Sequence, residues 1–190
     1  MNSNNVECPV VLIQSGTGLW LTVTDAGGIT VEGLRSDVID EPTGLFSTGP
    51  SAQMWTIYPV GGDIMLLNWR YNNTLNAMAI NPDGSLTMIQ QDPDWLTNVN
   101  AHWNQTSAPI RNTIPTWAFP ISQVFQAVNE RWPTPSGGVA IRAASDWNRN
   151  LNILGDGPYN PGAAVAAWEG WSGGASNEIW RMIQIHTQAL

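Results

Sequence analysis

Reactive side chains are scarce in this chain and stacking ones are plentiful. Its 190 residues include two histidines (His102 and His186), one cysteine (Cys8) and no lysine, against eleven tryptophans and eighteen asparagines. Without lysine there is no Schiff-base chemistry and no phosphate-binding loop lysine. Two histidines and one thiol fall short of a Cys/His metal cluster, and the sequence has neither a His-Glu-x-x-His pattern nor a Gly-x-Ser-x-Gly elbow. No metal and no cofactor is expected. Glycoside hydrolysis needs only two carboxylates, and Glu169 with Asp156 is a conceivable pair. Tryptophan offers a broad apolar face at low conformational cost, and an asparagine amide donates and accepts at once. These residue types suit non-covalent recognition of an uncharged partner.

The charge balance points the same way. Seven arginines face 15 acidic residues, for a formal net charge of -8, and the arginines (Arg35, Arg70, Arg111, Arg131, Arg142, Arg149, Arg181) are dispersed. Nucleic acid and anionic membrane surfaces need a basic patch, so both are excluded as partners. The longest apolar runs, such as Pro9–Ile13 and Ala163–Trp168, are far too short to cross a bilayer, and the start of the sequence lacks the basic and apolar regions of a signal peptide. The expectation is a cytoplasmic protein, although a single thiol is equally compatible with secretion. The hydrophobic fraction of 43% is enough for a packed core in one domain spanning residues 1–190.

Positioning the tryptophans and asparagines requires regular elements, and the sequence supplies them as a repeat. Short apolar runs bounded by Gly, Pro, Asn and Asp read as strands. Val11–Gln14, Leu19–Val23 and Ile29–Val31 lead to Gln53-Met54-Trp55; Met65–Asn68, Leu75–Met78 and Leu86–Ile89 lead to Ala101-His102-Trp103; Val139–Arg142, Leu151–Leu154 and Val165–Trp168 lead to Glu178-Ile179-Trp180. In each unit about 40 residues separate the first strand from the closing tryptophan. The units are expected at about 10–58, 64–106 and 138–187, each of four strands, closing together around one core. Trp117 is a competing closer for the second unit, since it sits evenly between Trp55 and Trp180; Trp103 is preferred because it matches the distance from the strand opener.

Residues 107–137 are then an insertion. Within it Ile121, Val124, Phe125, Val128 and Trp132 fall at helical spacing, so a short helix over about 122–132 is expected, ended by Pro133 and Pro135. Such a helix either packs across one end of the domain or forms a homodimer contact or a groove wall.

Three four-stranded repeats, each ending in a Q-x-W-like tryptophan, resemble the ricin B-type lectins. The third repeat carries the resemblance best, through Val165, the aromatic pair Trp168 and Trp171, the Gly173-Gly174 turn and Asn177-Glu178-Ile179-Trp180. The resemblance implies an all-β β-trefoil and a lectin that binds neutral glycans or glycoproteins, of the galactose or N-acetylgalactosamine type, rather than an enzyme. A sugar shows hydroxyls around its rim and a C–H face, so its site needs an aromatic platform with fixed amides and carboxylates. The candidates in the third repeat are Asn152 or Asp156 near the second strand, Trp168 or Trp171 as platform, and Asn177 with Glu178 before the closing tryptophan. Of the aromatic pair one is expected buried and the other exposed. Asp25, Gln53 and Phe46 in the first repeat, and Asn76, Asp92, Trp95 and Asn100 in the second, are weaker sets. The rival function is a protein-binding trefoil such as a protease inhibitor, acting through the long loops at 34–52 and 104–120.

Overall fold

The computed structural model describes residues 6–40, 45–47, 49–69, 74–90, 95–107, 139–169 and 175–190. Its strands are Glu7–Ser15 (β1), Trp20–Val23 (β2), Ile29–Glu32 (β3), Ile39–Asp40 (β4), Leu45–Phe46 (β5), Met54–Val60 (β6), Asp63–Asn68 (β7), Asn76–Ile80 (β8), Leu86–Gln90 (β9), Trp103–Ser107 (β10), Val139–Ala143 (β11), Asp146–Ile153 (β12), Ala163–Glu169 (β13) and Trp180–Ala189 (β14). The only helical elements among the described residues are short 3₁₀ turns.

Six strands close a barrel. β1 pairs with β14 and β6, β6 with β7, β7 with β10, β10 with β11, and β11 returns to β14. Closure removes free sheet edges, which is what lets antiparallel strands of this length stand without a partner sheet. The remaining long strands form three hairpins, β2–β3, β8–β9 and β12–β13, one from each repeat. Four barrel and hairpin strands recurring three times make this a β-trefoil: β1, β2, β3 and β6; β7 to β10; β11 to β14.

The three closing tryptophans tie hairpins to barrel. Trp55, Trp103 and Trp180 are fully buried. A buried indole N–H needs an acceptor. Each finds one at the same place in its own repeat: Trp55 donates to the Leu21 carbonyl at 3.0 Å, Trp103 to Met78 at 2.9 Å and Trp180 to Leu151 at 2.9 Å. The equivalence of Trp103 with the other two places it in the closing position of the second repeat. Around these indoles Val11, Ile13, Leu21, Leu66, Met78, Ile141, Leu151 and Met182 form the central core.

The hairpins also hold one another. β13 pairs with β3 through Ala163 and Ala164. At the β8–β9 turn, Gly84 has φ +87°, and a Cβ there would lie 2.6 Å from the Ala167 carbonyl. Only glycine allows this approach, in which the Ala167 N–H donates to the Gly84 carbonyl at 2.8 Å. The β13 strand is thereby fixed one residue before Trp168.

The loop expected at 34–52 contains more structure than its composition suggests. A 3₁₀ turn at Ser36–Val38 and the β4–β5 pair fold Leu34, Val38, Ile39 and Phe46 onto Val10, Leu12, Trp20 and Met54, a satellite cluster outside the barrel. Beyond Ser107, which ends β10, the insertion expected at 107–137, its helix at 122–132 and Trp117 all lie outside the described residues.

Trp103→Ala is expected to lower the free energy of unfolding by about 3–5 kcal/mol, as removal of a large buried aromatic does. Gly84→Ala is expected to cost about 1–3 kcal/mol through its left-handed backbone and the lost approach to β13. Urea unfolding followed by tryptophan fluorescence measures both.

Candidate functional site

The candidate site lies on the outer side of the β12–β13 hairpin, beside the turn that joins its two strands. Along β12 successive side chains face opposite sides. Leu151 points into the core and gives its carbonyl to Trp180, so Asn152 turns the other way, onto the outer side of the hairpin. Asn152 is nonetheless buried, because the chain before Trp180 folds over it.

That chain is held by Asn177. Its Nδ2 donates to Asn152 Oδ1 at 2.5 Å and to the Ile153 carbonyl at 3.0 Å, while its own carbonyl accepts from the Ile153 N–H at 3.0 Å. Both amide protons of Asn177 are therefore engaged. Among the described residues no protein group is bonded to Asn152 Nδ2 or Asn177 Oδ1. The pair thus offers one amide donor and one carbonyl acceptor side by side. The turn Ala175–Glu178, closed by Glu178 N–H to the Ala175 carbonyl at 3.1 Å, places the Glu178 side chain at the same spot.

After β12 the chain leaves the sheet through Leu154, Gly155, Asp156 and Gly157. Tyr159 folds this turn back: its hydroxyl donates to the Gly155 carbonyl at 2.9 Å and its ring packs against the central core. Asp156 is exposed at the tip. On the returning strand Trp168 is 57% exposed, an unusual state for the most expensive apolar side chain to hydrate.

Together these residues line an open cavity of about 630 Å³, formed by Asn152, Ile153, Leu154, Gly155, Asp156, Tyr159, Trp168, Asn177 and Glu178. Of the residues expected from sequence, Asn152, Asp156, Trp168, Asn177 and Glu178 meet in it. Trp171 lies outside the described residues, so of the aromatic pair only Trp168 is placed, and it is the exposed one. Tyr159 was not among the expected residues. Its signal in the sequence was the Gly155-Asp156-Gly157-Pro158 turn immediately before it, which has to fold back onto something apolar.

The electrostatics of the cavity are acidic. Burial, with Asp156 and Glu178 nearby, pushes the Tyr159 hydroxyl above its ordinary value, so the phenol is a neutral donor at any physiological pH. Glu169 is elsewhere: it accepts from Arg149 Nε at 3.1 Å and Nη2 at 2.9 Å and lines a different cavity from Asp156. The two carboxylates of the conceivable glycosidase pair therefore do not share one cavity.

The threefold symmetry shows why the other repeats differ. The positions of Asn152 and Glu178 correspond to Thr22 and Gln53 in the first repeat. There the Gln53 side chain donates to Thr22 Oγ1 at 3.0 Å and the Gly33 carbonyl at 2.8 Å and accepts from the Arg35 N–H at 2.9 Å. Its polar atoms brace the 34–47 loop. In the second repeat the same positions are Ala79 and Ala101, both buried and apolar. Asn76 is buried and donates to Thr74, Asn100 is exposed, Asp92 lies outside the described residues, and Asp25 is exposed at the β2–β3 turn.

No protein-family model and no curated protein matches this sequence. Solved structures do resemble it in fold. A ricin B-like lectin from Macrolepiota procera, solved in complex with lactose, matches with a TM-score of 0.56 at 16% identity, covering 97% of this chain and 99% of that one. A mosquitocidal holotoxin matches with a TM-score of 0.55 at 14% identity over 96% of this chain, and a GlcNAcα1-4Gal releasing endo-β-galactosidase from Clostridium perfringens with 0.58 at 13% over 94%. The chain spans only 17% of the holotoxin and 33% of the galactosidase. At these identities the likeness establishes the trefoil fold.

The raised Tyr159 value can be measured. In an ultraviolet alkaline titration one tyrosine is expected to ionise above the ordinary value of about 10, to vanish in Tyr159→Phe, and to shift part of the way back down in Asp156→Asn. Because the shift is upward on folding, the stability linked to it is intact below the unfolded value and declines as pH rises through the folded one.

Proposed function

We propose that this protein is a lectin that binds neutral glycans, of the galactose or N-acetylgalactosamine type, through the third-repeat cavity. The observation that carries the reading is the meeting of an exposed indole with an amide pair and two carboxylates at one cavity. Trp168 supplies a stacking face for the C–H side of a pyranose. Asn152 Nδ2 and Asn177 Oδ1 can bond adjacent hydroxyls, with Asp156 and Glu178 as further acceptors. A hydroxyl of the wrong epimer leaves Asn152, Asn177 or Glu178, which are buried, unpaired, and that penalty produces discrimination.

The lectin among the structural neighbours, crystallised with lactose, supports this reading, as does the carbohydrate-active enzyme that shares the fold. We read the site as one of binding: Asp156 and Glu169 line separate cavities with Glu169 paired to Arg149, and the carboxylates that do share the cavity, Asp156 and Glu178, are read as acceptors for sugar hydroxyls. The glycan reading is also better supported than a loop-borne protein inhibitor, since the described part of the 34–52 loop is packed onto the barrel. Its partners are then glycans or glycoproteins. A single shallow site binds a monosaccharide weakly, so avidity would come from clustered ligands or from a homodimer.

Trp168→Ala tests the reading. The exposed indole contributes little to folding, so the variant is expected to melt like the parent. Its retention on lactose- or N-acetylgalactosamine-agarose is expected to disappear, with affinity for the free sugar reduced at least about tenfold. Asn177→Ala is expected to lose both binding and about 1–2 kcal/mol of stability, since it braces Asn152 and Ile153. Sugar binding that survives Trp168→Ala would refute the site.

A further inference from the structure

The outer face of the barrel carries another cavity, and its floor follows from strand register. Val10 on β1 stands opposite Thr56 on β6 and opposite His186 on β14, and residues paired across antiparallel strands share a face. Gln188, opposite Cys8, and Met54, opposite Leu12, lie on that same face, each two residues from the Val10 row. Val10, Leu12 and Met54 belong to the satellite cluster, whereas their chain neighbours Val11 and Trp55 belong to the central core. The face therefore points outwards. Trp69, just past the end of β7, and the Gly49-Pro50 stretch before β6 complete a cavity of about 280 Å³.

Its lining is apolar with a neutral polar end. Val10 and Met54 are buried, and the indole of Trp69 is 38% exposed. Gln188 Nε2 donates to Thr56 Oγ1 at 2.8 Å across the intervening strand β1. Among the described residues no protein group bonds Gln188 Oε1 or the ring nitrogens of His186. Burial pushes the His186 imidazole below its ordinary value, so at neutral pH it is uncharged, with one nitrogen able to donate and the other to accept. None of the described lining residues is Asp, Glu or Arg. An ion of either sign would lose hydration here without gaining a counter-charge.

Size and chemistry narrow the occupant further. An apolar void of about 150 Å³ holds one benzene ring, so this cavity has room for two fused rings. Tryptophan and methionine both make favourable contacts with an aromatic ring. A pyranose, by contrast, needs a polar partner for each hydroxyl on its rim, and Val10, Pro50 and Met54 supply none. We propose that this cavity is a binding site for a small uncharged aromatic molecule carrying one hydrogen-bonding group. Trp69 is its stacking face, and Gln188 Oε1 and His186 receive its polar end. No residue lines both this cavity and the third-repeat one, so the site stands whether or not the other takes a sugar.

Titration calorimetry at neutral pH with 2-naphthol and 2-naphthoate, fused rings of similar size without and with a charge, tests this. 2-Naphthol is expected to bind with a Kd on the order of 0.1 mM, and 2-naphthoate at least about tenfold more weakly. Trp69→Ala removes the stacking face and is expected to weaken 2-naphthol at least about tenfold. In the nitrogen-15 spectrum of the parent protein, 2-naphthol is expected to move the indole N–H signal of Trp69 and to leave that of Trp168 in place, which locates the site even if the variant does not fold. Saturating lactose is expected not to displace it. Absence of 2-naphthol binding at about 1 mM, naphthoate bound as tightly as naphthol, a response at Trp168 in place of Trp69, or displacement by lactose overturns the proposal. None of these results bears on whether the third-repeat cavity binds sugar by itself, which Trp168→Ala decides.

Discussion

The structure depends on one hydrogen bond made three times. In each repeat a buried indole N–H meets the carbonyl of a core residue on the second strand, Leu21, Met78 or Leu151. The bond joins a hairpin to the barrel strand that follows it, and it does so inside a dry core where a lost partner costs the full desolvation of both groups. The strand carbonyl that accepts it fixes which way the next side chain points. In the third repeat that side chain is Asn152. The core contact and the site are therefore adjacent residues of one strand, with opposite orientations.

From this frame the asymmetry of the three repeats follows by substitution alone. The same pair of positions holds Thr22 and Gln53, Ala79 and Ala101, or Asn152 and Glu178. In the first repeat the glutamine bonds to Thr22 Oγ1, Gly33 and Arg35 and stabilises a long loop. In the second, two alanines extend an apolar cluster with Met65, Leu67 and Leu75. In the third the pair lines a cavity with Asp156, and among the described residues only there does the returning strand carry an exposed tryptophan. A fold with three equivalent addresses uses two of them for structure.

Much of this was legible in the sequence because it depends on residue type and spacing. The three closing tryptophans stand at matching distances from their strand openers, and their size forces them inward. Asn152, Asp156, Trp168, Asn177 and Glu178 were legible as candidates because the third repeat keeps the most complete pattern of aromatic, glycine turn and Asn. Tyr159 was not, since its place depends on how a turn of two positive-φ glycines folds back, which no periodicity encodes. The β4–β5 pair was hidden for a similar reason: two-residue strands in a stretch rich in Gly, Pro and Ser leave no alternating pattern.

The central claim is that the exposed Trp168 is the platform for a neutral sugar, while Trp55, Trp103 and Trp180 serve the core. Its most direct measurement is the set of indole N–H resonances of the protein, labelled with nitrogen-15, followed during addition of lactose. The Trp168 signal is expected to move progressively while those of Trp55, Trp103 and Trp180, each locked to a backbone carbonyl, stay fixed. A Trp168 signal that does not respond to lactose, N-acetylgalactosamine or any other neutral sugar tested would contradict the account.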